Sequence, residues 1–432
     1  MTPFRLPVLV LTLMAVVPLA VANNDLKFER SRAHVVLEVL ASDVEKNFYD
    51  PTLKGLNWKS LVADADKKID AAQSVSEMYV AIFGLINKLD DSHTLIFPPA
   101  RAVNIKFGFN AKPFGDKVLV YEITKNGHAK EAGLQLGDEL LLVNGFKVNR
   151  QSYHKIVFYL RLLKPADALD IVYRRGNGEP QKLRLQSQVD ERPLQIDLTD
   201  PANFWRFIRE SENYEEDNRA QWKKFDDVGY IRLKQFVYNE LDEGEHLLRR
   251  LDKPKALIFD LRGNGGGAER GLLDLAGYLE PEPVVMCDVV SRKKTEQLKI
   301  KPHSPHFPVP LVILLDSESA SASEMFARHF QHEKRAVVVG DVSEGAVNEA
   351  VYFNHRQGAD ILIFYGIEMA VGKVVFPGDE ILEKRGVLPD EMCLPTADDL
   401  RDGKDPCLDK ALSIARGLGK ENNGAGNLAT AK

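Results

Sequence analysis

The second half of the chain alternates strand-like and helical runs, and that alternation restricts the fold more than any other feature. Val228-Gly229-Tyr230-Ile231-Arg232-Leu233 opens the series. Ala256 to Leu261, Gly271 to Tyr278, Val309 to Leu315, Ser323 to Phe330 and Ala336 to Val339 continue it. Strands alternating with helices imply α/β layering. The 432 residues exceed one ordinary domain, so two or three compact units are expected. A formal net charge of −6 argues against a nucleic-acid binder, which needs a basic face to release counterions.

Upstream, the period differs. Val36, Leu37, Leu40, Val44 and Phe48 recur at helix spacing, as do Met78, Ile82, Leu85, Ile86 and Leu89, with a turn at Tyr49-Asp50-Pro51 and N-cap chemistry at Ser74 or Ser76. From Val103 the letters become strand-like. Asn126-Gly127-His128-Ala129-Lys130-Glu131-Ala132-Gly133-Leu134 predicts a short helix closed by Gly133. Gly137 to Gly145 predicts a strand ending in an Asn-Gly turn, and a helix at Tyr153 to Leu163 and a strand at Leu169 to Arg174 follow. Residues 184 to 226 are polar and read as a connecting segment with some strand. The tail from Gly419, rich in Asn, Gly and Ala, is expected to be disordered.

The first residues follow the grammar of a secretory leader: Arg5, an apolar run from Leu6 to Val17, Pro18, then Ala20-Val21-Ala22. Export with cleavage after Ala22 is expected, and no later stretch approaches the ~18 apolar residues of a membrane span. In an oxidising compartment Cys393 and Cys407 could close a short loop; three buried thiols, with Cys287, are the alternative.

Two turns carry the chemistry. In Leu315-Asp316-Ser317-Glu318-Ser319-Ala320-Ser321-Ala322-Ser323-Glu324 an apolar strand runs into small residues that open a helix. A serine there sits where free backbone N–H groups favour an oxyanion. The simpler reading is that Ser319, Ser321 or Ser323 caps the helix, with Glu324 in a capping box. The second turn is Asp260-Leu261-Arg262-Gly263-Asn264-Gly265-Gly266-Gly267, where glycines permit close approach to the backbone. It has neither Gly-Lys-Ser/Thr nor a dinucleotide fingerprint, so nucleotide binding is discounted. His329/His332 and His303/His306 have no His-Glu-x-x-His arrangement or clear third ligand; a solvated helix face is expected, and no metal or other cofactor is implied. No Gly-x-Ser-x-Gly surrounds Ser321, which counts against an α/β-hydrolase esterase.

Gly-x-Ala-x-x-Ala-Gly-Leu followed by Gly-Asp-x-Leu-x-x-Val-Asn-Gly resembles a PDZ domain, which would place a loop for a peptide carboxylate at Phe107-Gly108-Phe109. With that module, the Asp-Leu-Arg-x-Asn-Gly-Gly-Gly turn and the Ser-Ala-Ser-Ala-Ser-Glu turn resemble the C-terminal processing (tail-specific) serine proteases over roughly residues 30 to 400. The resemblance implies a multi-domain α/β protein: leader 1–22, helical region 23–100, β-rich PDZ domain with two helices 101–185, layered catalytic core 186–418, tail 419–432. It implies Ser321 as nucleophile, with oxyanion donors at Ala322 and a glycine of the turn, Gly267 ahead of Gly266. The partner implied is a polypeptide that the PDZ domain could present by its C-terminus, and the leader sets the expected location in the periplasm or outside the cell.

One residue departs from the pattern. The family's lysine base belongs in Val338-Val339-Gly340-Asp341-Val342-Ser343-Glu344-Gly345-Ala346-Val347, where Ala346 stands instead. Either the protein is a silent peptide-binding scaffold or another group is the base. A branch that includes the tricorn core protease looks similar at Asp90-Asp91-Ser92-His93-Thr94 and before Gly386-Val387-Leu388-Pro389-Asp390. It implies His93 as base, supported by Ser92 and Glu383, with Glu380 and Lys384 near enough to blur the alignment. An imidazole of ordinary pKa near ~6.5 suits that role. Lys373 is the remaining amine candidate.

Overall fold

The computed structural model describes residues 19–99, 103–125, 127–191, 220–236, 248–358 and 363–429. Helices α1 (Leu19–Asn47), α2 (Trp58–Ala71) and α3 (Val75–Ile86) form the first layer. The two apolar stripes expected on α1 and α3 are buried against each other. Ser74 caps α3, accepting from the Glu77 amide at 3.2 Å, and Asp50 accepts from Thr52 and Lys54 to close the turn after α1. The leader reading rests mainly on residues 1–18, which lie outside the described residues, and α1 already includes Ala22.

Strand β1 (Leu95–Phe97) leads into a β-rich module. This comprises β2 (Val103–Lys106), β3 (Phe109–Phe114), β4 (Lys117–Ile123), the short helix α4 (His128–Glu131), β5 (Glu139–Val143), β6 (Phe146–Lys147), helix α5 (Tyr153–Phe158) extended to Leu163, β7 (Ala168–Arg174), β8 (Gln181–Gln186) and β9 (Gln188–Glu191). The sheet order is β3-β4-β5-β7-β8, so β3 is an edge. Asn144 and Gly145 have φ of 48° and 80°, the paired left-handed conformation a two-residue hairpin between β5 and β6 needs. Phe107 and Phe109 are both buried, with half-buried Gly108 between them at φ 75°.

The core sheet runs β10 (Gln221–Phe225), β11 (Val228–Arg232), β12 (Ala256–Asp260), β15 (Leu311–Leu315), β16 (Ala336–Gly340), β19 (Glu391–Met392), parallel from β11 onward. Central strands β12 and β15 are buried at every position, as a parallel sheet covered on both faces requires. Helices α6 (Glu269–Gly277) and α7 (Ala322–His332) cover one face, and α9 (Pro406–Ala429) the other; α8 (Ala397–Asp402) precedes α9. A second sheet is built on the long strand β18 (Ile363–Val375): β17 (Glu349–Gln357) lies on one edge, β1 and β13 (Val284–Ser291) share the other, and β14 (Thr295–Ile300) follows β13. Ile367 and Met369 of β18 pack on the α1–α3 layer, so the intervening Glu368 points the opposite way.

Two expectations are corrected. The stretch from Gly419 continues α9 to Ala429, because Ala411, Ala415 and Leu418 anchor the helix on the sheet and an established helix adds residues cheaply. His329 is not on a solvated face: it is 4% exposed, with Nε2 2.9 Å from Glu280. Cys393 and Cys407 form a disulfide joining the end of β19 to α9, and Cys287 remains a buried thiol.

Candidate active site

The serine turn separates its three serines by what their hydroxyls do. Ser319 donates to the Leu261 carbonyl at 2.8 Å and accepts from the Asp316 amide at 2.9 Å. Ser323 donates to the Asn264 carbonyl at 2.9 Å. Both are fully buried fasteners between the two turns. Ser321 lines a cleft of about 1340 Å³. Its backbone has φ 54° and ψ −118°, outside the regions open to a residue with a Cβ, at a cost of about 1–3 kcal/mol. Glu324 and Ala346 sustain that conformation. The Ser321 amide donates to Glu324 Oε2 at 3.1 Å and to the Ala346 carbonyl at 2.7 Å. Glu324 also accepts from Ser343 Oγ and from the amides of Gly345 and Ala346. Burial pushes its carboxyl up to about 7 against the pull of these donors. The capping-box glutamate thus holds the turn, without a Gly-x-Ser-x-Gly sequence.

The glycine turn lies against this serine. A Cβ on Gly266, whose φ is 104°, would come within 2.6 Å of Ser321 Cβ and 3.1 Å of the Ala322 amide nitrogen. The Gly266 amide is spent on Asn264 Oδ1 at 2.9 Å, while Phe236 brackets Gly267 by bonding to its two neighbours. Among the described residues, the Gly267 and Ala322 amides donate no hydrogen bond to protein. Arg262 stiffens the turn, reaching Asp260 at 2.6 Å and Asp405 at 2.8 Å.

The Asp90-to-Thr94 turn approaches from the helical layer. Asp91 accepts from the His93 amide, from Thr94 Oγ1 and from Asn348 Nδ2, and Lys384 pairs with Asp90. Glu383 receives the Ser92 amide at 3.1 Å, the Ser92 hydroxyl at 2.9 Å and the Val347 amide at 3.2 Å. It therefore grips the residue before His93 rather than the ring. The ring's Nε2 lies 3.1 Å from the Ala346 carbonyl, the same oxygen that accepts the Ser321 amide. His93 and the Ser321 backbone are thus two hydrogen bonds apart through one atom. Nδ1 is 3.6 Å from Glu368 Oε1. Burial opposes charge on this imidazole, but Glu368, Asp91 and Glu383 outweigh it and raise its pKa to about 9.

The alternatives fall elsewhere. Lys373 neighbours Val374, whose side chain lines the cleft, so alternation points Lys373 to the other face of β18. Glu380 pairs with Arg328 at 2.7 Å. Glu368 is the residue that sequence reasoning missed; only the pairing of β1 with β18 brings it to His93. Residues of β3 and α5, among them Asn110, Lys112, Tyr153 and Arg161, extend the same cleft beyond Ser321. Among the described residues no His/Cys/Asp/Glu group could hold a metal ion.

A strained serine at the strand-to-helix crossing of a parallel sheet, beside two amides with no acceptor among the described residues, is an arrangement suited to acyl transfer by a serine hydrolase. Comparison narrows this class: residues 227–392 match the model of peptidase family S41. The chain is a serine-type peptidase, and it is similar to the C-terminal processing proteases. It is 26% identical over 363 residues to the carboxyl-terminal-processing protease of Synechocystis sp., covering 81% of this chain and 78% of the relative. Against the carboxy-terminal processing protease CtpB of Bacillus subtilis it is 22% identical, covering 72% and 61%. The fold is similar to mature CPAF, with TM-score 0.69 and 16% identity over 91% of this chain and 98% of that one. It is also similar to the photosystem II D1 C-terminal processing protease, with TM-score 0.53 and 20% identity over 84% and 93%.

Proposed function

We propose that this peptidase is an exported endopeptidase using a Ser321–His93 pair, with the module at 101–185 acting as a PDZ domain that presents or gates polypeptide substrate. The observation that carries the pairing is the Ala346 carbonyl, shared by the Ser321 amide and His93 Nε2. Where the family's lysine would reach in, a small alanine leaves room for an imidazole.

In this mechanism Ser321 Oγ attacks the scissile carbonyl and its proton passes to His93 Nε2. The oxyanion takes hydrogen bonds from the Gly267 and Ala322 amides. The C–N bond breaks as the imidazolium returns its proton to the leaving amine. Water then repeats the sequence on the acyl-enzyme. Nε2 accepts a proton only when neutral, and a neutral Nε2 facing a carbonyl oxygen sets lone pair against lone pair. Deprotonation therefore drives the ring off Ala346 and toward the Ser321 hydroxyl.

The edge strand β3, beside α5 and continuous with the cleft at Ser321, supports addition of a peptide strand and capture of its carboxylate at Phe107-Gly108-Phe109. The Cys393–Cys407 disulfide supports an oxidising compartment, periplasmic or extracellular.

Turnover of an unfolded polypeptide tests the pairing. Ser321→Ala should abolish it, and His93→Ala should lower it by about 10²–10⁴-fold. Near-wild-type digestion by His93→Ala would end the Ser–His reading.

A further inference from the structure

We propose that Glu368 is the positioning residue of the base: it fixes the His93 ring through Nδ1 and holds a proton on it until substrate arrives. This rests on the Ser321–His93 reading and adds a residue to it. The placement follows from strand register. Leu95 of β1 pairs with Glu368 of β18, so His93, two residues back, is its diagonal neighbour, within reach of a long side chain. On the other edge of β18, Tyr352 stands directly opposite Glu368, and that carboxylate together with burial raises its phenol. A glutamate walled in by Leu95, Tyr352 and the His93 ring, and 19% exposed, has few ways to turn.

The alternative orienting group is Glu383, but its contacts are the Ser92 amide and hydroxyl and the Val347 amide. The two carboxylates thus divide the work: Glu383 locks the turn that carries His93, and Glu368 faces the ring. The charged groups around the imidazole are Glu368 from β18, Asp91 from its own turn and Glu383 from the loop before Gly386. Glu368 is the largest of the three influences favouring the charged ring. With Nδ1 toward Glu368 and Nε2 toward the Ala346 carbonyl, a doubly protonated ring donates a hydrogen bond to the carbonyl and forms an ion pair with the carboxylate. The resting site is thereby parked, and anything that displaces the Ala346 contact or weakens the Glu368 contact arms it.

The test pairs a spectroscopic titration with a pH–rate profile. In folded Ser321→Ala protein labelled at histidine nitrogen, Glu368→Gln should lower the His93 titration midpoint by about 1–3 pH units. In the active enzyme the same substitution should move the acidic limb of kcat/KM by a similar amount to lower pH. It should also reduce the limiting rate, with Glu368→Asp restoring part of it. Glu383→Gln should move the titration less than Glu368→Gln. An unmoved His93 midpoint and unmoved limb in folded Glu368→Gln would overturn the assignment, whatever the rate. Failure of the underlying pairing looks different: His93→Ala would remain active, while the titration in Ser321→Ala would still report whether Glu368 grips the ring.

Discussion

At the scale of single residues, the site depends on conformations that only particular side chains tolerate. Gly266→Ala would place a methyl 2.6 Å from Ser321 Cβ at a φ of 104°. It should lose about 1–3 kcal/mol from backbone strain alone and most of its peptidase activity. Denaturant unfolding and kcat/KM on the purified variant check both, and an active, undiminished Gly266→Ala would contradict the proposed geometry. His93 gives a pH-dependent term of known sign. Its folded pKa of about 9 lies above the ordinary value. The term is therefore full below pH ~6.5, worth roughly 3 kcal/mol, and lost as pH rises toward 9. The stability gap between wild type and His93→Ala should narrow over that window, as urea unfolding at several pH values would show. Ser321, His93, Gly266 and Gly267 each sit in a distinctive local run of letters, and the fold brings all four to one cleft. Glu368 was not legible, since a glutamate inside Ile367-Glu368-Met369 looks like any half-exposed strand position until its neighbours are known. The roles of Ser319 and Ser323 were equally hidden, because three serines two apart look alike without their partners.

At the scale of elements, periodicity told most where packing is regular. The buried core strands, the Asn144-Gly145 hairpin and the Ser74 cap all appear where composition pointed. The misses have physical causes. The end of α9 carries Asn and Gly that favour coil, but its first turns are pinned to the sheet. His329 looks solvent-facing in sequence, but its Glu280 partner lies 49 positions away. Between β19 and α9, the Cys393–Cys407 bridge spans 14 positions and ends two residues after Asp405, the acceptor for Arg262. Replacing both cysteines by serine should destabilise the chain by about 3 kcal/mol by chain-entropy arithmetic and loosen the glycine turn. A shift in the guanidinium midpoint together with reduced kcat checks this; an unchanged midpoint would show the bridge to be incidental.

At the scale of the whole molecule, three units meet at one cleft. The helical layer delivers His93, the α/β core delivers Ser321 and the glycines, and the β-rich module closes the side through β3. Lys112 of β3 is the principal bolt, 2.6 Å from Asp316, whose other oxygen holds the Gly263 amide at 2.9 Å. Arg150 adds a second bolt on Asp341 at 2.9 Å. Lys112→Met leaves a buried carboxylate without its cation and should cost about 3–5 kcal/mol, seen as a lower unfolding midpoint. The proposed pairing requires an imidazole from the helical layer to activate a serine in the core. Covalent labelling by a serine-directed fluorophosphonate, followed against pH, addresses that most directly. Wild-type labelling at Ser321 should rise with pH toward 9, and His93→Ala should react slowly with no such rise. Equal labelling rates and the same pH dependence in wild type and His93→Ala would contradict it.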